Sequence, residues 1–195
     1  MHVRNQMFWE RCSLQYARYF NDIDLKVAEF GSYNINGSVR TCFKNYKKYV
    51  GVDWRPQEGY VDVVGLAHEV KLDETFDTVI SASLLEHDPY WEKSLKKMVF
   101  YMKGDGALFL SWGAALNPPH CIEEAPDHAF HALKASLVLN ELTRLGIYIH
   151  EFWYEGVLYP DEAKSGMGEV VLVGFRNKRY ATGESHVCEL IPEDL

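Results

Sequence analysis

Two stretches decide the fold: Leu25-Lys26-Val27-Ala28-Glu29-Phe30-Gly31-Ser32 and Tyr49-Val50-Gly51-Val52-Asp53. Each is a nearly unbroken apolar run of strand length, and the first stops abruptly at a glycine. Between them, a polar loop, Ser32-Tyr33-Asn34-Ile35-Asn36-Gly37, leads into a segment from Asn36 to Lys48 that we expect to be helical. A strand, a tight glycine turn, a helix and a second strand ending on an acid form one βαβ unit of a parallel sheet.

The same alternation continues outward. Downstream, Val61–Val64 and Phe76–Ile80 read as strands, Tyr90–Met102 as a helix and Ala107–Ser111 as another strand. Upstream, Phe8, Cys12, Tyr16 and Tyr19 recur at helical spacing, which predicts an amphipathic helix from Asn5 to Phe20. Near-continuous apolar strands alternating with helices are what a parallel sheet covered on both faces requires. Beyond this half, Trp112 to Asp127 is rich in Pro, His and acids without a clean period, and reads as a lid. A helix is expected over His128–Leu145, followed by strands Ile147–Tyr154 and Glu169–Phe175 flanking a polar turn at Asp161–Gly168, the pattern of an antiparallel hairpin. We expect a single domain, 1–195: an N-terminal helix (1–24), a cofactor-binding half (25–111), a lid or substrate loop (112–130) and a closing helix with its hairpin (131–195).

In open α/β sheets, ligands bind beyond the carboxyl ends of the strands. Asp53 is placed there to bind a ribose. Gly31 lets the backbone approach a ligand closely, and the free N–H groups opening the expected helix suit an anion such as a carboxylate. A dinucleotide site needs a second glycine where Tyr33 stands, so the loop points to a nucleoside without a pyrophosphate.

Six motifs in order add to this reading: Glu29-Phe30-Gly31-Ser32; Tyr49-Val50-Gly51-Val52-Asp53; Val61 to His68; Phe76-Asp77-Thr78-Val79-Ile80-Ser81; Leu84-Leu85-Glu86-His87; and Lys103-Gly104-Asp105-Gly106-Ala107. Together they resemble the class I S-adenosylmethionine-dependent methyltransferases, especially small members of the methyltransferase type 11 group. The resemblance implies a Rossmann-like fold: a seven-stranded mixed sheet with helices on both faces and an antiparallel last strand. It implies that Glu29 and Gly31 line the methionine end of S-adenosylmethionine, with Ser32 and Tyr33 beside them. Asp53 would take the ribose hydroxyls, Trp54 would flank the adenine, and Ala67 and His68 would close its other side. Ser81 and Ser83 would lie near the sulfonium and the acceptor, and His87 is the candidate base. The chain departs from the family at Tyr33 and Ile35, where further glycines are common, and at Leu66, where many members have an acid beside the adenine.

Composition limits the partners. The 195 residues are 47% hydrophobic, enough for one sizeable core, and a formal net charge of -8 opposes broad nucleic-acid binding. With this charge, the resemblance implies a small-molecule or sugar-like acceptor of methyl groups at O or N, with S-adenosylhomocysteine as product. The opening residues lack a signal-peptide core and no apolar run approaches a bilayer span, so a cytoplasmic protein without membrane attachment is expected. Cys12, Cys42, Cys121 and Cys188 are scattered, which reads as buried free thiols. His120, Cys121, His128 and His131 lie among Glu123, Glu124 and Asp127 but match no strong zinc spacing, and no metal site is expected. A noncatalytic nucleoside-binding protein on the same fold remains the alternative, with a nicotinamide-dependent oxidoreductase behind it because of the missing glycine.

Overall fold

The structure is a computed structural model that describes residues 3–35, 37–118, 120, 129–155 and 168–190. Its strands are β1 (Lys26–Phe30), β2 (Lys48–Asp53), β3 (Val63–Val64), β4 (Phe76–Ala82), β5 (Met102–Gly113), β6 (Tyr148–Glu155), β7 (Glu169–Phe175) and β8 (His186–Val187). Its α-helices among the described residues are α1 (Val3–Gln15), α2 (Trp91–Tyr101) and α3 (Ala135–Arg144). The strands form one sheet in the order β3-β2-β1-β4-β5-β7-β6-β8. β1 is paired in parallel with β2 and β4, and β7 runs antiparallel to both β5 and β6. The order reverses between β1 and β4, so the carboxyl ends of these two strands flank the topological switch point.

Alternation along each strand divides the core into two layers. Val27, Ile80, Phe109, Val171 and Val173 face α1, which contributes Phe8, Trp9, Cys12 and Tyr16 from one stripe. Ala28, Val79, Leu108 and Leu172 face the other way, against Leu95 and Met98 of α2 and Val138 and Leu142 of α3. A buried polar knot fastens α1 to the sheet. Glu151 on β6, fully buried, accepts hydrogen bonds from Tyr16 Oη, Gln15 Nε2 and Arg11, whose guanidinium lies 3.2 Å away and also stacks 4.1 Å from the Trp153 ring centroid.

Five expectations need correction. The helix expected over Asn36–Lys48 is a single turn, Val39–Cys42. Asn34 Oδ1 takes the Gly37 N–H and Ser38 Oγ takes the Arg40 N–H, so short polar side chains compete with helix formation, and Phe43 must then turn into the core. The helix expected from His128 begins only at Ala135, because the Phe130 and His131 N–H groups are committed to the carbonyls of His120 and Glu86. Trp112 is not part of a lid: it lies on β5, fully buried, and Asn117 beyond it exchanges two hydrogen bonds with the Gly168 backbone. The sheet has an eighth strand, β8, lying parallel to β6 at the edge, where two residues without alternation gave no sequence signal. Finally, Cys12 is buried but Cys42 and Cys188 are half-buried; all three are free, while Cys121 and residues 121–128 lie outside the described residues.

The knot at Glu151 generates a stability prediction. Glu151→Ala leaves the Tyr16 hydroxyl and the Arg11 guanidinium without their acceptor beside the core, and should cost about 2–3 kcal/mol. Chemical denaturation of the two proteins checks this; an unchanged midpoint would show that α1 is held by its apolar stripe alone.

Candidate functional site

The site grows from the end of β1. Gly31 has φ +85°, a conformation that L side chains rarely adopt, and a Cβ there would lie 2.9 Å from Leu84 Cβ. The chain turns so that the Gly31 and Ser32 N–H groups both donate to the Val52 carbonyl, at 2.8 and 3.1 Å. That turn brings the ends of β1, β2 and the segment after β4 together. Asp53, the last residue of β2, is 8% exposed; its Oδ2 accepts the Tyr33 N–H at 3.2 Å and its Oδ1 the Arg55 N–H at 3.0 Å. Burial raises its carboxyl above the usual range against the pull of these N–H groups. The carboxylate keeps acceptor capacity beyond its backbone donors.

Around Asp53 stand the aromatic groups. The Arg55 guanidinium lies 3.8 Å from the Tyr33 ring centroid and 5.1 Å from that of Trp54. The Gly65 N–H donates to the Asp53 carbonyl, which brings the turn carrying buried Ala67 and His68 alongside; His68 lies 4.5 Å from the Tyr90 ring. Contrary to the expectation from the sequence, the loop's own N–H groups do not open a helix toward a ligand: that of Tyr33 is held by Asp53 and that of Asn34 by Gln57. Glu29 lies beneath the loop, 3% exposed, with Oε2 accepting the Tyr49 hydroxyl at 2.6 Å. Burial pushes its carboxyl up to about 7, opposed by that bond and by the Arg40 charge.

On the other side of the switch point, Ser81 is fully buried and its hydroxyl has no partner, as is also true of Ser32. Ser83 has φ +53°, an uncommon state for a residue with a side chain, and it accepts a 3.4 Å bond from Asn5 of α1. His87 ends the single turn Leu85–His87, its ring 5.0 Å from His120 and 6.1 Å from Phe130. Of the Glu-His pair, Glu86 is the one that points inward. It is 3% exposed, and its Oε1 accepts the Gly113 N–H at 2.9 Å. Burial pushes it up to about 7, against the pull of its own N–H and that of Gly113. Glu169, the first residue of β7, is in register with Gly113, and burial followed by the charge of Glu86 pushes it up to about 8.

The structure thus gathers the predicted residues along the carboxyl edge of β1, β2, β4 and β5. It adds three that the sequence did not single out for the site: Asn5, Glu86 and Glu169. Asn5 lies one turn before Trp9 on the buried stripe of α1, and Glu169 is a charge opening a wholly apolar strand; both mismatches are visible in the sequence. Among the described residues no three His, Cys, Asp or Glu side chains converge as a metal site.

No family model matches the chain and no curated protein matches it in sequence. Solved structures do match. A 1,6-didemethyltoxoflavin-N1-methyltransferase from Burkholderia thailandensis, with bound 1,6-didemethyltoxoflavin and S-adenosylhomocysteine, is similar with TM-score 0.64 at 13% identity over 88% of this chain and 77% of that one. The N-methyltransferase NodS of Bradyrhizobium japonicum, in complex with S-adenosylhomocysteine, gives 0.61 at 13% over 89% and 87%. An S-adenosylmethionine-dependent methyltransferase from Clostridium acetobutylicum gives 0.57 at 9% over 88% and 90%. The likeness is one of fold.

The buried carboxyls make stability depend on pH. An ordinary glutamate titrates near 4.5, whereas Glu29, Glu86 and Glu169 hold their protons to about 7, 7 and 8 in the folded chain. Between these limits the folded state binds more protons than the unfolded one, so their contribution is complete below about 4.5 and is lost as pH rises through 7 to 8. Thermal melts across this window should show falling stability, and Glu169→Gln should flatten the slope; an identical slope in the variant would show that Glu169 is ionised throughout.

Proposed function

We propose that this chain, which has the Rossmann-like fold of the class I S-adenosylmethionine-dependent methyltransferases, transfers a methyl group from S-adenosylmethionine to an oxygen or nitrogen of a small-molecule acceptor. One observation carries the reading: Gly31, with its left-handed turn, and Asp53, with acceptor capacity to spare, meet at the topological switch point. The residues suit the cofactor. A carboxylate with remaining lone pairs matches two ribose hydroxyl donors, the rings of Trp54 and Tyr33 offer apolar faces for a base, and the partnerless hydroxyls of Ser32 and Ser81 await a polar group. Two of the similar structures bind S-adenosylhomocysteine, which supports the same ligand here.

When bound, the cofactor supplies a methyl group already activated on a sulfonium. The chain's own contribution is then alignment and exclusion of water. Asp53 holds the ribose; Trp54 flanks the adenine opposite Ala67 and His68; Gly31, Ser32 and Tyr33 receive the methionine end, with Glu29 bracing the loop from beneath through Tyr49. Ser81 and Ser83 border the acceptor side. For a hydroxyl acceptor, His87 is the group that takes the proton. Three free thiols and the lack, among the described residues, of a helix long and apolar enough to cross a membrane accord with work in a cytoplasm-like compartment. The noncatalytic alternative draws on the loop N–H groups of Tyr33 and Asn34, already held within the chain; it shares the binding properties but yields no methylated product.

Calorimetric titration with S-adenosylhomocysteine and with NAD tests the reading. Binding of the first and not the second is expected, and Asp53→Ala should weaken it by about 1–3 kcal/mol through loss of charge-assisted hydrogen bonds. Tight binding of NAD, or unchanged affinity in a folded variant, would place the pocket elsewhere.

His87→Ala should lower turnover on a hydroxyl acceptor by about 10²–10⁴ with little change in S-adenosylhomocysteine affinity, and should remove the limb of the pH–rate profile near neutrality. A variant that keeps both rate and limb would show that His87 only shapes the turn.

A further inference from the structure

The acceptor side of the sheet edge contains more polar atoms than the chain satisfies. Glu86 and Glu169 flank Gly113, Glu86 by accepting its N–H and Glu169 by lying opposite it in the β5–β7 ladder. Each carboxyl is at least nine-tenths buried, and in each Oε2 has no partner. Ser111, two residues before Gly113 and so on the same face of β5, is fully buried with a partnerless hydroxyl. The helix covering this face adds Asn5, whose Nδ2 reaches Ser83 while its Oδ1 is unmet. Partnerless buried polar atoms are uncommon in folded proteins, and their convergence beside a proposed transfer site marks the place of a ligand.

The chemistry of these atoms selects the ligand. Two neighbouring carboxyls and an amide oxygen are acceptors of hydrogen bonds, and among the described residues no Lys or Arg forms an ion pair with Glu86 or Glu169. A third carboxylate, Glu155 on β6, pairs with Glu169 in the next ladder and holds the Trp153 indole N–H. A neutral hydroxyl offers one donor and no charge, whereas an ammonium offers two or three donors and a positive charge. The wall is aromatic. A Cβ on Gly113 would lie 3.1 Å from the ring of Phe130, which stacks on His120 at 4.7 Å with His87 beyond. An aromatic face beside carboxylates suits an amine with an apolar body.

We infer that the space bounded by Glu86, Glu169, Ser111 and Phe130 is the acceptor subsite and that it binds a primary or secondary amine as its ammonium form, which passes one N–H proton to a buried carboxylate and so frees the lone pair that takes the methyl group. This deepens, and rests on, the methyl-transfer reading. Glu86 and Glu169 are specificity residues: they hold the nitrogen, while Asp53 and the Gly31 turn hold the cofactor.

The test is a calorimetric series on the whole protein saturated with S-adenosylhomocysteine, using benzylamine and phenethylamine against benzyl alcohol and phenethyl alcohol. The amines should bind at least about tenfold more tightly than the matched alcohols, and Glu86→Gln and Glu169→Gln, which keep shape but cannot ionise to meet an ammonium, should each cut that preference about tenfold. The comparison of probes on the unaltered protein does not depend on any variant folding. Alcohols bound as tightly as amines, no binding of either pair, or a preference that survives both substitutions would overturn the assignment while S-adenosylhomocysteine still bound. Failure of S-adenosylhomocysteine itself to bind would instead overturn the methyl-transfer reading.

Discussion

Everything at the site depends on the turn at Gly31. A side chain there would need a disfavoured φ and would collide with Leu84, so the backbone passes where no other residue fits. Because the turn donates two N–H groups to Val52, it fixes the end of β1 against β2, and because it packs on Leu84, it fixes the same end against the segment after β4. Asp53, Ser83 and the Glu86 turn take their places from that joint. A parallel sheet buried on both faces gives the joint its rigidity, since both layers of the core press on β1.

The two ends of the site are electrostatically unlike. At the Asp53 end, burial also raises the carboxyl, but backbone donors and the Arg55 guanidinium stacked on Tyr33 oppose that shift, and lone pairs remain to accept more hydrogen bonds. At the Gly113 end, two carboxyls lie close together in a dry setting, and burial makes each hold its proton far above the ordinary range. One end is ready for hydroxyl donors; at the other, an ammonium would take the place of the protons that burial makes the carboxyls hold. The distinction arises from burial and neighbours alone, since the side chains are all carboxylates.

The central sheet was legible because its strands are apolar runs of strand length with turns between them: Lys26–Phe30, Lys48–Asp53 and Phe76–Ala82 begin and end within two residues of the expectation. The positions of Gly31 and Asp53 at strand ends followed from the same pattern. What stayed hidden depended on contacts between distant segments. The segment after Gly37 looked helical by composition, yet local bonds from Asn34 and Ser38 held it to one turn. The helix start at Ala135 was set by the Glu86 carbonyl, 45 residues upstream of the His131 N–H it receives. Glu86 stood in a motif without a role of its own, and Glu169 read as a strand opening; only the β5–β7 ladder, which the sequence does not encode locally, places them on either side of Gly113.

The most direct test of the central claim is a crystal structure of the protein grown with S-adenosylhomocysteine. The nucleoside should lie across the carboxyl ends of β1 and β4, with both ribose hydroxyls on the Asp53 carboxylate, the backbone of Gly31 against the amino-acid tail, and the sulfur directed toward Ser83 and the Glu86–Glu169 side. A ligand bound away from Asp53, or a nucleoside whose sulfur points away from Gly113, would contradict it.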